Sequence, residues 1–141
     1  MDLTGSCIKE YRFYGLDNEA NINPVYMFSW SGETPEDLRA NSGFIQEMGR
    51  KPGVITYISF VTPHPGSGIE NEAGLHVLTR DYSRYTHKQP VAVPRSLGDN
   101  GLRLMVNEYH RIAETTGTED LNPRIDSGYL RKIGMRGEKA A

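Results

Sequence analysis

Cysteine is almost absent from this chain: Cys7 is the only one, so no disulfide can close within it and the paired thiols of metal and redox spacings are missing. Such thiol poverty favours the cytoplasm over a disulfide scaffold built for oxidising surroundings. Long apolar runs are missing as well. No stretch approaches the ~18 apolar residues of a membrane span, and Met1-Asp2-Leu3-Thr4-Gly5 offers neither a basic leader nor the apolar stretch of a signal peptide. The expectation is no membrane contact and a cytoplasmic protein, or one that reaches a host or rival cell without a classical signal peptide. An excess of one charge sign is lacking too: 16 Lys+Arg stand against 18 Asp+Glu. No whole-molecule field therefore draws the chain to nucleic acid, and any polyanion contact has to be local.

What is plentiful is punctuation. The 141 residues include 15 Gly and 8 Pro, more than an average domain carries, so loops and turns take much of the backbone and long helical bundles are disfavoured. The length suits one compact domain over residues 1–141, with a polar tail fraying from about residue 136. The loop Thr62-Pro63-His64-Pro65-Gly66-Ser67-Gly68 divides the chain near its middle.

Cys7 to Tyr14 and Val25-Tyr26-Met27-Phe28-Ser29-Trp30 read as strands, with turn chemistry in Asp17-Asn18-Glu19-Ala20-Asn21. Thr34 is placed to cap a helix that starts at Pro35, carries Glu36 and Asp37 at its positive end, and is expected to stop before Gly43. Gly53 to Thr62 is the strongest strand, rich in β-branched and aromatic residues, and is expected to be central and buried. Glu70 to Thr79 fits a short helix or a strand, and Pro90-Val91-Ala92-Val93-Pro94 an edge strand. Leu102, Met105, Val106, Tyr109, Ile112 and Ala113 recur at three- and four-residue steps, the period of a long amphipathic helix. Ile125 to Ile133 reads as a last strand. The fold class is α+β, with short, mostly antiparallel strands, one short helix and one longer one.

Several chemistries lack their residues. His64, His76, His87 and His110 show no ligand spacing with a second donor, so no metal site is expected. Gly66-Ser67-Gly68 lacks the Lys-Ser/Thr of a phosphate loop and reads as a flexible loop. No Gly-x-Ser-x-Gly elbow occurs, and Cys7 carries no sign of activation. The segment 80–95 is different. It interleaves Arg80, Arg84, Lys88 and Arg95 with Tyr82, Tyr85 and His87 against one acid, Asp81, which suits either a nucleotide contact by stacking and phosphate neutralisation or a solvated segment whose rings cover the core. Glu108 is either an exposed helical carboxylate or a catalytic one.

Three blocks carry a family resemblance. Phe28 to Phe44, with its strand, Pro35-Glu36-Asp37-Leu38 helix start and Gly43-Phe44, resembles the first block of cholera- and pertussis-type mono-ADP-ribosyltransferase toxins. Tyr57-Ile58-Ser59-Phe60-Val61 resembles the second, an aromatic-aliphatic-Ser-Thr-Ser strand that shapes the nicotinamide pocket, and Leu104 to Tyr109 the third, which supplies the catalytic Glu. The resemblance implies a small NAD-dependent mono-ADP-ribosyltransferase or NAD glycohydrolase of effector type, acting on a protein acceptor. It makes Glu108 and Ser59 the catalytic pair, Arg12 the phosphate fork of NAD, and Tyr82, Arg84 and Tyr85 further cofactor contacts. The family's NAD-binding Arg falls on Ser29, and the first carboxylate of its third block on Val106. Those two losses equally suit a catalytically inert α+β module that binds a protein partner. A third reading is a small nuclease or RNA-binding domain with His87 and Glu108 as acid and base.

Overall fold

The computed structural model describes residues 23–135; the expected strand Cys7 to Tyr14, its following turn, Arg12 and the tail from 136 lie outside them. Among the described residues the fold is mixed α+β, with three α-helices and four short strands in two small sheets. β1 (Val25–Phe28) leads through α1 (Pro35–Gly49) into β2 (Tyr57–Phe60), and the two strands pair in parallel with Tyr26 opposite Ile58 and Phe28 opposite Phe60. β3 (Leu75–Val77) and β4 (Ala92–Pro94) form an antiparallel pair, followed by α2 (Gly101–Thr116) and α3 (Ser127–Lys132).

Strand alternation puts Tyr26, Phe28, Ile58 and Phe60 on one face, and all four are buried in the main apolar cluster. α2 lies against that face. The ring of Tyr109 stacks on Phe60 at 5.1 Å and reaches Phe28 at 6.3 Å, while Met105, Val106, Ile112 and Ala113 continue the same stripe. The helical period of this segment is thus the geometry of its burial.

α1 begins where the sequence places it. Thr34 Oγ1 accepts from the Asp37 N–H at 3.2 Å and Asp37 Oδ2 accepts from the Thr34 N–H at 3.1 Å, a reciprocal cap around Pro35. Its end corrects the expected stop before Gly43, because the helix runs on to Gly49. An exposed helical glycine costs only about 1 kcal/mol, and burial of Ile45 and Met48 beyond it outweighs that.

Ile125 to Ile133 is a second correction, being a helix and not a strand. Asp126 Oδ1 accepts from the Tyr129 N–H at 2.6 Å as an N-cap, and Ile125, Tyr129 and Leu130 are buried at helical spacing. Glu70 to Thr79 resolves into a 3₁₀ turn, Ile69–Asn71, followed by β3. β2 is buried as expected yet not central: among the described residues its second edge is met by no strand. Instead, the Phe60 N–H donates to His87 O at 2.8 Å and the Ile58 N–H to Asn122 Oδ1 at 3.0 Å.

The ends of α1 and α2 approach through Gly49. A Cβ there would stand 2.4 Å from Thr116 Cγ2 and 2.9 Å from Thr56 Cγ2. Thr116 cannot swing away freely, since its hydroxyl is held by Ile112 O at 2.6 Å. Gly49→Ala, which in an open helix gains about 1 kcal/mol, is therefore expected to lose about 1–2 kcal/mol here by overpacking. Urea unfolding checks the sign, and a stabilised variant would contradict this contact.

Candidate functional site

β1 and β2 run in the same direction, so their carboxyl ends open on one side, the place where parallel strands leave room for a ligand. The chain leaves β1 at Ser29, which is fully buried and holds φ at 76°, the left-handed region that costs a residue with a Cβ about 1 kcal/mol. A local network holds it there. The Ser29 N–H donates to Glu33 Oε2 at 3.2 Å, its hydroxyl donates to Met105 Sδ at 3.3 Å, and the Glu33 N–H returns to Trp30 O at 3.1 Å. Tyr26 Oη donates to the other carboxylate oxygen of Glu33.

Pinned from Ser29 to the α1 cap, the loop turns Trp30 outward, leaving it 47% exposed. Beyond β2, the Val61 N–H bonds Phe28 O at 2.7 Å and fixes the opposite wall. Ile69, Glu72 and Leu75 complete a cleft of about 200 Å³ lined also by Trp30, Ser31 and Val61. Gly74 admits the close approach of Ser31, whose Oγ would lie 2.3 Å from a Cβ at 74.

Burial pushes the Glu33 carboxyl above its ordinary value, with the Tyr26 and Ser29 donors pulling the other way. Burial and the neighbouring Glu33 likewise raise the Tyr26 phenol. A raised carboxyl pKa means that the folded state holds the proton more tightly than the unfolded chain. The stabilisation linked to Glu33 is therefore fully present below its unfolded pKa and lost as pH rises through its folded pKa. Between about pH 4 and pH 8, the thermal midpoint of the native chain is expected to fall relative to Glu33→Gln. A gap between the two that does not change with pH would exclude this.

The expected catalytic pair is not brought together. Glu108 is buried in α2 and accepts from Ser42 Oγ of α1 at 2.5 Å, with Arg111 Nη1 at 3.5 Å; Ser42 in turn accepts from Gln46 Nε2 at 3.0 Å. Its carboxylate bolts two helices. Ser59 is buried too, but alternation with Ile58 and Phe60 turns it to the sheet face away from α2. Neither lines the cleft beside Trp30. Among the described residues no hydrogen bond or ion pair joins His87 to Glu108, the proposed acid and base.

In the segment 80–95 the cations are largely engaged. The Lys88 ammonium donates to Ile58 O at 3.2 Å and Asn122 Oδ1 at 3.3 Å, and burial lowers its pKa. The Arg84 guanidinium lies 5.4 Å from the centre of the Tyr129 ring and 3.9 Å from Asp81 Oδ2. Arg95 Nε donates to Ala73 O at 3.0 Å. Tyr85 Oη donates to Thr79 O at 2.9 Å, its ring edge-on to Tyr82 at 5.0 Å, and Tyr82 alone of the two is well exposed. The tyrosines thus cover structure more than they offer a free stacking platform.

Trp30, Glu33, Glu72 and Asn122 have no place among the sequence candidates. A visible signal for Trp30 was its position between a strand and a Thr-Pro helix start, where an exit loop borders any cleft; Asn122 had none.

No family model matches the chain, and no curated protein or solved structure matches it. Among the described residues no three His, Cys, Asp or Glu side chains gather in a group that could hold a metal ion, and no helix is long and apolar enough to cross a membrane.

Proposed function

We propose that the chain is a catalytically inert α+β module that binds a protein partner through the cleft beside Trp30. The observation that carries this reading is the division of labour among the carboxylates and aromatics. Glu108 is committed between helices by Ser42 and Arg111, and Ser59 faces away from it, so among the described residues no buried acid lines the cleft to stabilise a sugar cation. Trp30, by contrast, is held half-exposed at the cleft rim by a strained loop. Tryptophan is among the residues that most often carry the energy of a protein interface, and strained backbone gathers at ligand clamps and binding sites. An NAD-dependent transferase or glycohydrolase would need Glu108 released from both helices, and a nucleotide site would need Lys88 and Arg84 released from β2 and Tyr129.

The test has two arms. Incubated with NAD, the protein is expected to release no nicotinamide; release that disappears in Glu108→Gln would replace this reading with the transferase or glycohydrolase. Panning a random peptide library against the native chain and against Trp30→Ala should enrich sequences on the former only. Enrichment indifferent to Trp30 would remove the cleft from the function.

A further inference from the structure

The two stretches that build the cleft, residues 31–38 and 61–79, contain Glu33, Glu36, Asp37, Glu70 and Glu72 and no lysine or arginine. Three of these carboxylates have structural work. Glu33 holds Ser29 and Tyr26, Asp37 caps α1, and Glu70 Oε1 accepts from the Gly66 N–H at 3.1 Å. Glu72 lines the cleft, and among the described residues its carboxylate makes no hydrogen bond or ion pair. Arg95, anchored next to Glu72 in sequence through the Ala73 carbonyl, spends its Nε on that bond.

Resting on the reading above as a binding module, we infer that the cleft takes a lysine or arginine side chain of the protein partner. The aliphatic stem packs on Val61, Ile69 and Leu75, and the charged head lies between the Trp30 ring and the Glu72 carboxylate. Both ends of the site favour that occupant: an indole face attracts a cation, and a nearby carboxylate adds an ion pair. A purely apolar side chain would desolvate Glu72 without compensation. An acidic one would meet the Glu72 carboxylate, and like charges in one site repel.

The chain contains one tryptophan, so its fluorescence reports on this cleft alone. Blocked tripeptides Gly-X-Gly with X as lysine, arginine, norleucine or glutamate serve as probes on the full chain. The lysine and arginine peptides are expected to shift Trp30 emission saturably at about millimolar concentration, with norleucine about tenfold weaker and glutamate without effect. Glu72→Gln should weaken the lysine peptide about three- to tenfold and leave norleucine unweakened or tighter, while Glu119→Gln, outside the cleft, should change neither. Added salt should weaken the lysine and arginine peptides and leave norleucine unchanged.

Equal binding of lysine and norleucine, or lysine binding untouched by Glu72→Gln, overturns the cationic occupant and leaves the module standing. No response of Trp30 to any of the four peptides removes the cleft as a side-chain site altogether. Nicotinamide release from NAD overturns the module itself, so the two failures are told apart.

Discussion

Asn122→Ala is expected to lower stability by about 3–5 kcal/mol, because it strips partners from several buried groups at once. The side chain is 1% exposed. Its Oδ1 accepts from the Ile58 N–H at 3.0 Å and the Lys88 ammonium at 3.3 Å; its Nδ2 donates to Thr56 O at 3.1 Å and to Thr118 Oγ1 at 2.9 Å. Each orphaned donor or acceptor costs about 1–3 kcal/mol, while a domain this size holds only about 5–15 kcal/mol in total. Asn122→Asp separates the two halves of the amide. It keeps the acceptor for Ile58 and strengthens the pull on Lys88, yet it cannot donate to Thr56 O, so it should fall between alanine and the native chain. Urea unfolding at constant slope reads both, and a loss under about 1 kcal/mol for alanine would show that water replaces the amide.

Tyr109→Ala is expected to cost as much by another route, about 3–5 kcal/mol through the void left by a large aromatic. The ring is fully buried between Phe60 and Phe28. Its hydroxyl behaves oppositely. It is buried, finds no hydrogen-bond partner among the described residues, and burial alone pushes its pKa up to about 12. Tyr109→Phe should therefore be neutral or stabilising by up to about 1 kcal/mol, since it removes a desolvated polar atom while preserving the stack. Thermal unfolding of the two variants gives changes of opposite size; a Phe variant as damaged as the Ala one would mean that the hydroxyl is satisfied.

The parts of the fold legible in the sequence are those where one local rule acts alone. β1 and β2 carry β-branched and aromatic residues, α2 carries an unbroken apolar period, and Thr34-Pro35 with Asp37 builds the cap of α1 from adjacent residues. Where two rules compete, tertiary burial decides. Gly43 argues for a stop that Ile45 and Met48 override, and the apolar residues from Ile125 to Ile133 suit a strand until Asp126 supplies the cap of a helix. The candidate site was less legible for a different reason. Glu108 is read from the sequence as an exposed helical carboxylate or a catalytic one; its burial against Ser42 depends on where α1 lies, 66 residues away in sequence. The same distance hides Asn122 from any motif, since its partners Thr56 and Ile58 belong to another element. Trp30 sits visibly between a strand and a helix start, but the parallel pairing of β1 and β2 is what places its loop at the mouth of a cleft.

The way β2 is finished on its outer side also bears on how the protein behaves in crowded solution. A strand edge with unpaired amides is a template on which a second chain can grow, the first step toward sheet-mediated aggregation. Here the outward groups of Ile58 and Phe60 are occupied by Asn122, Lys88 and the His87 carbonyl, partners that come from loops and offer no ladder for a neighbour to extend. Among the described residues, growth of the sheet across that side is blocked by two side chains and a loop carbonyl with no covering strand, and loosening the Asn122 loop would uncover a surface prone to self-association.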